Sequence, residues 1–421
     1  MTSELLRQVR LLDPVADTDR VADVLITDGT IAAVEPHIGD VPAAAEIVDR
    51  PGLVLGTGLI DLYSHSGEPG FESRETLQSL RQAAIAGGFT RLTVLPDTQP
   101  AIDHPGGVEF LRSSLQSSST ALPQVQLWGA LTLGAAGKQL AELADLAAAG
   151  VVGFAESQSL QNWALLRRSL EYAQPLGKPI ALWCWDAELS GGGVVRDGVE
   201  AMRLGLPGNP SFAETAPLAA LLECVAAIGT PVHLMRVSTA RSVEQIAAAK
   251  ASGLPITAST TWMHLLLNIN AVQSYDPSLR LEPPLGNPTD QAALIDAVEQ
   301  GIIDAIAIDH TPYTYEEKTV AFAEAPPGAI GLELALPLLW QRLVESGNWS
   351  ALTLWRALSV HPARCLGQPL EAIAPNQRAE LTLFDPQQTW KVTSSSLKST
   401  STNTPWLGQE LIGRVIKVWT P

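Results

Sequence analysis

The chain has 421 residues, of which 46% are hydrophobic and 17% charged, and its formal charge is −17. That length and composition suit one large α/β barrel with a small accessory domain and exclude extended disorder; the charge excludes nucleic acid and anionic membrane surfaces as partners. Three cysteines, Cys184, Cys224 and Cys365, lie far apart without C-x-x-C spacing, which excludes a disulfide framework or cysteine zinc site and fits a reducing cytoplasm.

In chain order, the opening "MTSELLRQVRLLDPVADTDR" has no apolar signal-like core. No later window reaches the roughly 18 to 20 apolar residues of a membrane helix. The best candidate, 329–340, is broken by Glu333 and Pro337, so a soluble, cytoplasmic protein is expected. Residues 1–56 read as β-rich: in "VLITDGTIAAVE" two apolar runs flank Asp28-Gly29, a dipeptide suited to the positive-φ positions of a tight hairpin.

Residues 57–367 have another rhythm. Short apolar runs recur at 59–65, 91–96, 125–132, 151–156, 180–185, 232–238, 256–260 and 305–310. Helical stretches such as "KQLAELADLAAAG" and "RSVEQIAAAKASG" separate them, each with a glycine stop. Continuous apolar strands alternating with helices imply a parallel sheet buried on both faces. Eight such units fit a closed barrel better than an open sheet, and no glycine-rich phosphate loop follows any strand. Residues 368–421 return to short strands around the loop "TSSSLKSTSTNTP". The expected fold is therefore α/β, a (β/α)8 TIM-type barrel with a small β-sandwich domain formed by both termini.

Active sites of such barrels form at the C-terminal ends of the strands. Those ends carry Tyr63 and His65, Asp97, Glu156, Trp183, Arg236, Ser259, and Asp309 with His310. The motifs around them resemble the dihydroorotases of the amidohydrolase superfamily. "GLIDLYSHSGEPG" is similar to the family's G-x-I-D-x-H-x-H-x-R-E-P-G, and "AAIAGGFTRLTVLPDTQPAID" to its A-A-x-G-G-F-T…P-N-T-x-P-x-x-D. "VHLMRVSTARSVEQI" is similar to H-x-x-H-V-S-T, and "IDAIAIDHTPYTYEEK" to D-A-I-A-T-D-H-A-P-H.

The resemblance implies a zinc site of paired histidines, a carboxylate after strand four, two further histidines and an aspartate that is both ligand and general base. Carried over by position, Tyr63, Trp183 and Arg236 replace three of the ligand histidines. His65, Glu156 and Asp309 remain, Asp309 at the general-base position. The family's substrate positions are altered too: Gly67 stands for an arginine, Asp97 and Glu282 for asparagines, and Tyr313 for a histidine. Removing cations and adding acids disfavours an anionic substrate. Two carboxylates in one barrel mouth need a neutralising cation, so Arg236 is expected on Asp309, Glu156 or both. Trp183 is expected to fill the space of an imidazole, and His233 and His264 to be structural.

Three functions follow. The first is a non-catalytic homologue without a bound metal, linked to pyrimidine biosynthesis; the family precedent implies a structural role beside aspartate transcarbamoylase, and the analogy with related barrels adds a homo-oligomer. The second is an active dihydroorotase or related cyclic-amide hydrolase that opens dihydroorotate to carbamoyl aspartate, with zinc held by His65 and Asp309 with help from Glu156 or Tyr63. The third is a small-molecule sensor using the altered pocket, over which the loop 311–330 could order as a lid.

Overall fold

The computed structural model describes residues 2–116 and 122–420. The N-terminal strands are β1 (Ser3–Asp13), β2 (Thr18–Thr27), β3 (Thr30–Glu35), β4 (Glu46–Asp49) and β5 (Val54–Thr57). β2 and β3 form the expected hairpin, with Asp28 and Gly29 at φ 48° and 74°, the left-handed pair that matches strand twist. The long β1 pairs with β2 on one side and, in parallel, with β4 and then β5 on the other.

The chain then enters the barrel through β6 (Leu59–Ser64), β7 (Phe89–Val94), β8 (Gln124–Ala130), β9 (Gly153–Ala155) and β10 (Ile180–Trp183). An excursion after β10 holds two two-residue strands, β11 (Val195–Arg196) and β12 (Gly208–Asn209), paired only with each other. β13 (Val232–Met235), β14 (Ile256–Thr261) and β15 (Ala305–Ala307) complete an eight-stranded parallel sheet in sequential order. Each barrel strand coincides with one of the apolar runs read from the sequence. Both faces are covered: helices such as Leu77–Ala86 and Ala240–Ala251 pack outside, and the inside is filled by Tyr63, Trp128, Trp183 and Met235. Small residues facing them, Ala155, Ala181, Ala305 and Ala307, make room for the large rings, the alternation a dry barrel interior requires.

The seam between β15 and β6 closes differently from the other joints. His65 N–H donates to the His310 carbonyl (2.9 Å) and Asp309 N–H to the Tyr63 carbonyl (3.1 Å). Between them a side chain substitutes for the ladder. The carboxyl of Asp61, fully buried, accepts from Ile308 N–H (2.9 Å) and from the Ser64 hydroxyl (2.5 Å). Burial pushes its pKa up to about 7 against those hydrogen bonds.

The chain returns in β16 (Leu381–Lys391) and β17 (Glu410–Trp419), which add to β5 to give the order β17-β16-β5-β1-β2-β3. The domain expected as a sandwich is thus hydrogen-bonded as one seven-stranded sheet, because β1 is long enough to serve three partners. Trp355 joins the two domains: it is fully buried, and its indole N–H donates to the Thr57 carbonyl (2.8 Å). Between β16 and β17 the Ser/Thr-rich segment leaves the sheet and crosses to the barrel. The hydroxyl of Ser399 donates to Glu75, Thr400 N–H also reaches Glu75 (3.1 Å), and Ser401 Oγ donates to the Arg74 carbonyl (2.7 Å). No helix among the described residues is long and apolar enough to cross a membrane.

The seam makes a testable demand. Asp61→Ala leaves the buried Ile308 N–H without its acceptor and should cost about 1–3 kcal/mol, read as a lowered thermal midpoint. Asp61→Asn keeps an acceptor and should cost much less; equal losses would contradict this role.

Candidate functional site

The C-terminal ends of β6, β13 and β15 converge on one ion pair. Arg236 follows β13 and Asp309 follows β15, and both sit at left-handed φ, 56° and 51°. Such a conformation costs a residue with a side chain about 1–3 kcal/mol unless its surroundings impose it. Tyr63 lies between them and holds both. Its carbonyl accepts the Asp309 N–H and its hydroxyl accepts the Arg236 N–H, each at 3.1 Å. The same hydroxyl is 3.0 Å from Ser259 Oγ, which is 2.9 Å from His233 Nε2. Burial depresses the pKa of His233 to about 3, so this buried chain is uncharged, and His233 is structural as expected.

With both backbones fixed, the Arg236 guanidinium meets Asp309 as a fork. Nε donates to Oδ2 (2.8 Å) and Nη2 to Oδ1 (2.7 Å), the strong bidentate geometry. Nη1 donates to the Ser157 carbonyl (3.1 Å), and Nη2 is also 3.0 Å from His65 Nε2. The faces of Trp183 and Tyr63 flank the cation at 5.3 and 5.9 Å. The guanidinium is almost wholly removed from water, 5% exposed. Burial works against its charge, but Asp309 outweighs it and keeps Arg236 protonated. Burial likewise opposes ionisation of Asp309, yet the Arg236 guanidinium holds its carboxyl far below the usual range.

His65 is the third member. Its Nδ1 lies 2.6 Å from Asp97 Oδ2 and its Nε2 3.5 Å from Asp309 Oδ1. Burial pulls its pKa down, but Asp97 and Asp309 carry it up to about 9. The contact with Arg236 makes the opposite demand, because an imidazolium would face a guanidinium N–H with an N–H of its own. The distances therefore describe the neutral ring, with its proton on Nδ1 toward Asp97 and its Nε2 lone pair turned to Arg236.

Glu156 is not part of this cluster: of the two carboxylates named for Arg236, Asp309 alone pairs with it. Its side chain points into the barrel wall, 1% exposed, and accepts from Thr132 Oγ1 (2.7 Å); no cation lies within ion-pair distance among the described residues. Burial, helped by the charge of Asp97, pushes its pKa up to about 7. Below about pH 7 a proton, not a guanidinium, neutralises it. The residue on that strand end that reaches the pocket is its neighbour Ser157.

Above the ion pair opens a cavity of about 380 Å³. The altered positions named from the sequence lie at it, and the carboxylates among them have partners. Asp97 binds His65, and Glu282 pairs with Arg280 (3.0 Å). Gly67 has no room for a side chain, since a Cβ would stand 2.3 Å from the Glu75 carbonyl oxygen. The expected loss of cations is partly reversed by Arg74, which lines the cavity, forks onto Glu317 (2.9 and 2.5 Å) and lies between the rings of Phe71 and Tyr313 at 4.4 and 4.8 Å. His264 also lines the cavity rather than being purely structural; burial lowers its pKa to about 4. Trp183 stacks on Trp185, centroids 5.1 Å apart.

The loop 311–330 forms one wall of this cavity and is tied down. Asn403 Nδ2, from the crossing segment, donates to the carbonyls of Thr311 (2.9 Å) and Gly328 (3.3 Å). Lys318 Nζ donates to the carbonyls of Pro277 (3.1 Å) and Pro326 (2.6 Å). Sequence reasoning missed Arg74, Trp185 and Asn403. Only Trp185 carried a signal, two residues beyond Trp183 at the end of an apolar run.

Comparison with known proteins agrees with the motifs. A family model described as Dihydro-orotase-like matches residues 52–242. A probable dihydroorotase-like protein of Synechocystis sp. is 45% identical over 99% of each chain. A dihydroorotase of Pelotomaculum thermopropionicum is 38% identical over 97% of this chain and 95% of its own. The chain belongs to the dihydroorotase-like family. Among solved structures, the L-hydantoinase of Arthrobacter aurescens matches this dihydroorotase-like chain with a TM-score of 0.84 at 21% identity, covering 100% of it and 97% of the hydantoinase. At that identity the likeness is one of fold, and the fold is the TIM-type barrel of those neighbours.

Glu156 generates a pH dependence with a defined sign. Its folded-state pKa is raised, so its contribution to stability is fully present below pH 4.5 and is lost as pH rises through about 7. Thermal midpoints should fall from about pH 5 to about 8, with Asp61 acting in the same direction. Glu156→Gln should flatten part of that fall; an unchanged slope would contradict a buried acid.

Proposed function

We propose that this protein is a non-catalytic dihydroorotase homologue that serves pyrimidine biosynthesis as a structural partner of aspartate transcarbamoylase. The observation that carries the reading is the fork of Arg236 on Asp309, closed on its other side by His65.

In this family the hydrolytic step uses a metal-bound water and an aspartate that moves its proton. The donor set here does not fit zinc. Both oxygens of Asp309 and the only ring lone pair of His65 are turned to a guanidinium that cannot coordinate and does not lose its proton. Tyr63 spends its hydroxyl on Ser259 and the Arg236 backbone, burial raises its pKa further, and Trp183 has no lone pair to offer. No group of three or more His, Cys, Asp or Glu among the described residues is arranged to hold a metal ion. Asp309 is also a poor base in this setting, because a useful one has a pKa near the working pH and this carboxylate is held far below it. The barrel, its closed seam and the crossing segment are intact around this site, as expected of a chain kept for its surface.

Two assays test the reading together. Purified protein, supplied with zinc, should turn over neither dihydroorotate nor carbamoyl aspartate above background. Mixed with aspartate transcarbamoylase of the same organism, it should form a faster-sedimenting complex and raise the enzyme's thermal midpoint. Turnover that Asp309→Asn abolishes, or failure of the two proteins to associate, would contradict the proposal.

A further inference from the structure

A second cavity, of about 440 Å³, shares no lining residue with the one above the ion pair. It lies where three parts of the chain meet. The barrel contributes Ile85 and Ala86, at the end of the helix Leu77–Ala86, and Glu333. The small domain contributes Trp390 of β16 and residues 414–418 of β17, and the crossing segment contributes Ser396 and Lys398. β17 ends the seven-stranded sheet, so no further strand covers its free edge.

The lining divides by chemistry. Ile85, Trp390, Val415 and Val418 give apolar walls, and Ile416 beside them stays 39% exposed. Three cations, Lys398, Arg414 and Lys417, stand against one carboxylate, Glu333. Lys417 pairs with Glu4 (2.7 Å), but neither Lys398 nor Arg414 has a carboxylate within ion-pair distance among the described residues. Arg414 is held instead over the Trp390 ring, 5.0 Å from its centroid, and the indole N–H is tied to the Gly413 carbonyl (2.9 Å). Glu333 gives one oxygen to the backbone N–H groups of Lys398 and Ser399 (2.8 and 3.0 Å), and burial pushes its pKa up to about 7. Near neutral pH it offsets the cations only in part. The lining is thus net positive on a chain whose total charge is −17.

We propose that this cavity is a binding site for a small amphipathic anion, a carboxylate carried on a hydrocarbon or aromatic body. The carboxylate meets the Arg414 guanidinium, Lys398 adds positive charge, and the body lies against Trp390, Val415 and Ile416. A guanidinium offers paired N–H groups in the fork that a carboxylate matches, and the apolar walls take the body out of water. The volume falls in the usual range for small-molecule sites, and domain junctions are a common place for them. Because the walls come from both domains and the crossing segment, the bound anion clamps the small domain to the barrel. The inference concerns a cavity separate from the Arg236–Asp309 pair and stands whether or not that pair is catalytic.

The probes are octanoate, phenylpropionate and indolepropionate at millimolar concentration, each with its primary amide, and inorganic phosphate. On the full chain, thermal shift followed by calorimetry should find at least one carboxylate that binds and raises the thermal midpoint. Its amide should bind about tenfold more weakly or worse, and added salt should weaken the carboxylate alone. Arg414→Gln should cost the carboxylate about tenfold; Lys398→Gln, on an exposed side chain, should cost it less and leave folding intact. Arg74→Gln, in the other cavity, should change nothing. The inference is overturned if no carboxylate binds, if an amide or inorganic phosphate binds as tightly as the best carboxylate, or if Arg74→Gln rather than Arg414→Gln removes the binding.

Discussion

The forked pair between Arg236 and Asp309 is the constraint on which the rest of the site depends. Both residues accept a backbone conformation that side chains disfavour, and both are held there by Tyr63, one through its carbonyl and the other through its hydroxyl. Tyr63 is thus the backbone clamp that lets Arg236 reach the aspartate. Trp183 supplies the face beside the guanidinium. Tyr63, Arg236 and Trp183 form one coupled unit.

That unit also sets the character of the cavity above it. A barrel mouth with several carboxylates must satisfy them, and this one does so three ways: a guanidinium on Asp309, an imidazole N–H hydrogen bond on Asp97 and, below about pH 7, a proton on Glu156. Arg74 and Arg280 repeat the pairing further out with Glu317 and Glu282. The cavity is therefore built largely from ion pairs whose members are already committed. Its outer wall is fixed by a segment of the small domain, so that domain takes part in shaping the pocket.

Most of the barrel was legible in the sequence because its signals are local. Apolar runs of strand length, helical periodicity and glycine stops lie within a few residues of one another, and each of the eight runs became a barrel strand. The Asp28-Gly29 turn was legible for the same reason. The Arg236–Asp309 pair could be anticipated from charge balance once the strand ends were known. What stayed hidden were contacts between distant residues without periodic signature. The reach of Ser399 to Glu75, 324 residues apart, is one; the packing of Arg74 against Tyr313 is another. The protonation of Glu156 was hidden too, because burial, not residue type, decides it.

The most direct test of the central claim is the zinc content of the protein, purified without chelator or metal-affinity resin and then incubated with zinc and desalted, measured by mass spectrometry of the metal. A guanidinium seated on Asp309 and His65 predicts zinc far below stoichiometric. Near-stoichiometric zinc that is lost in Asp309→Ala would show that the metal displaces Arg236, and would contradict the account.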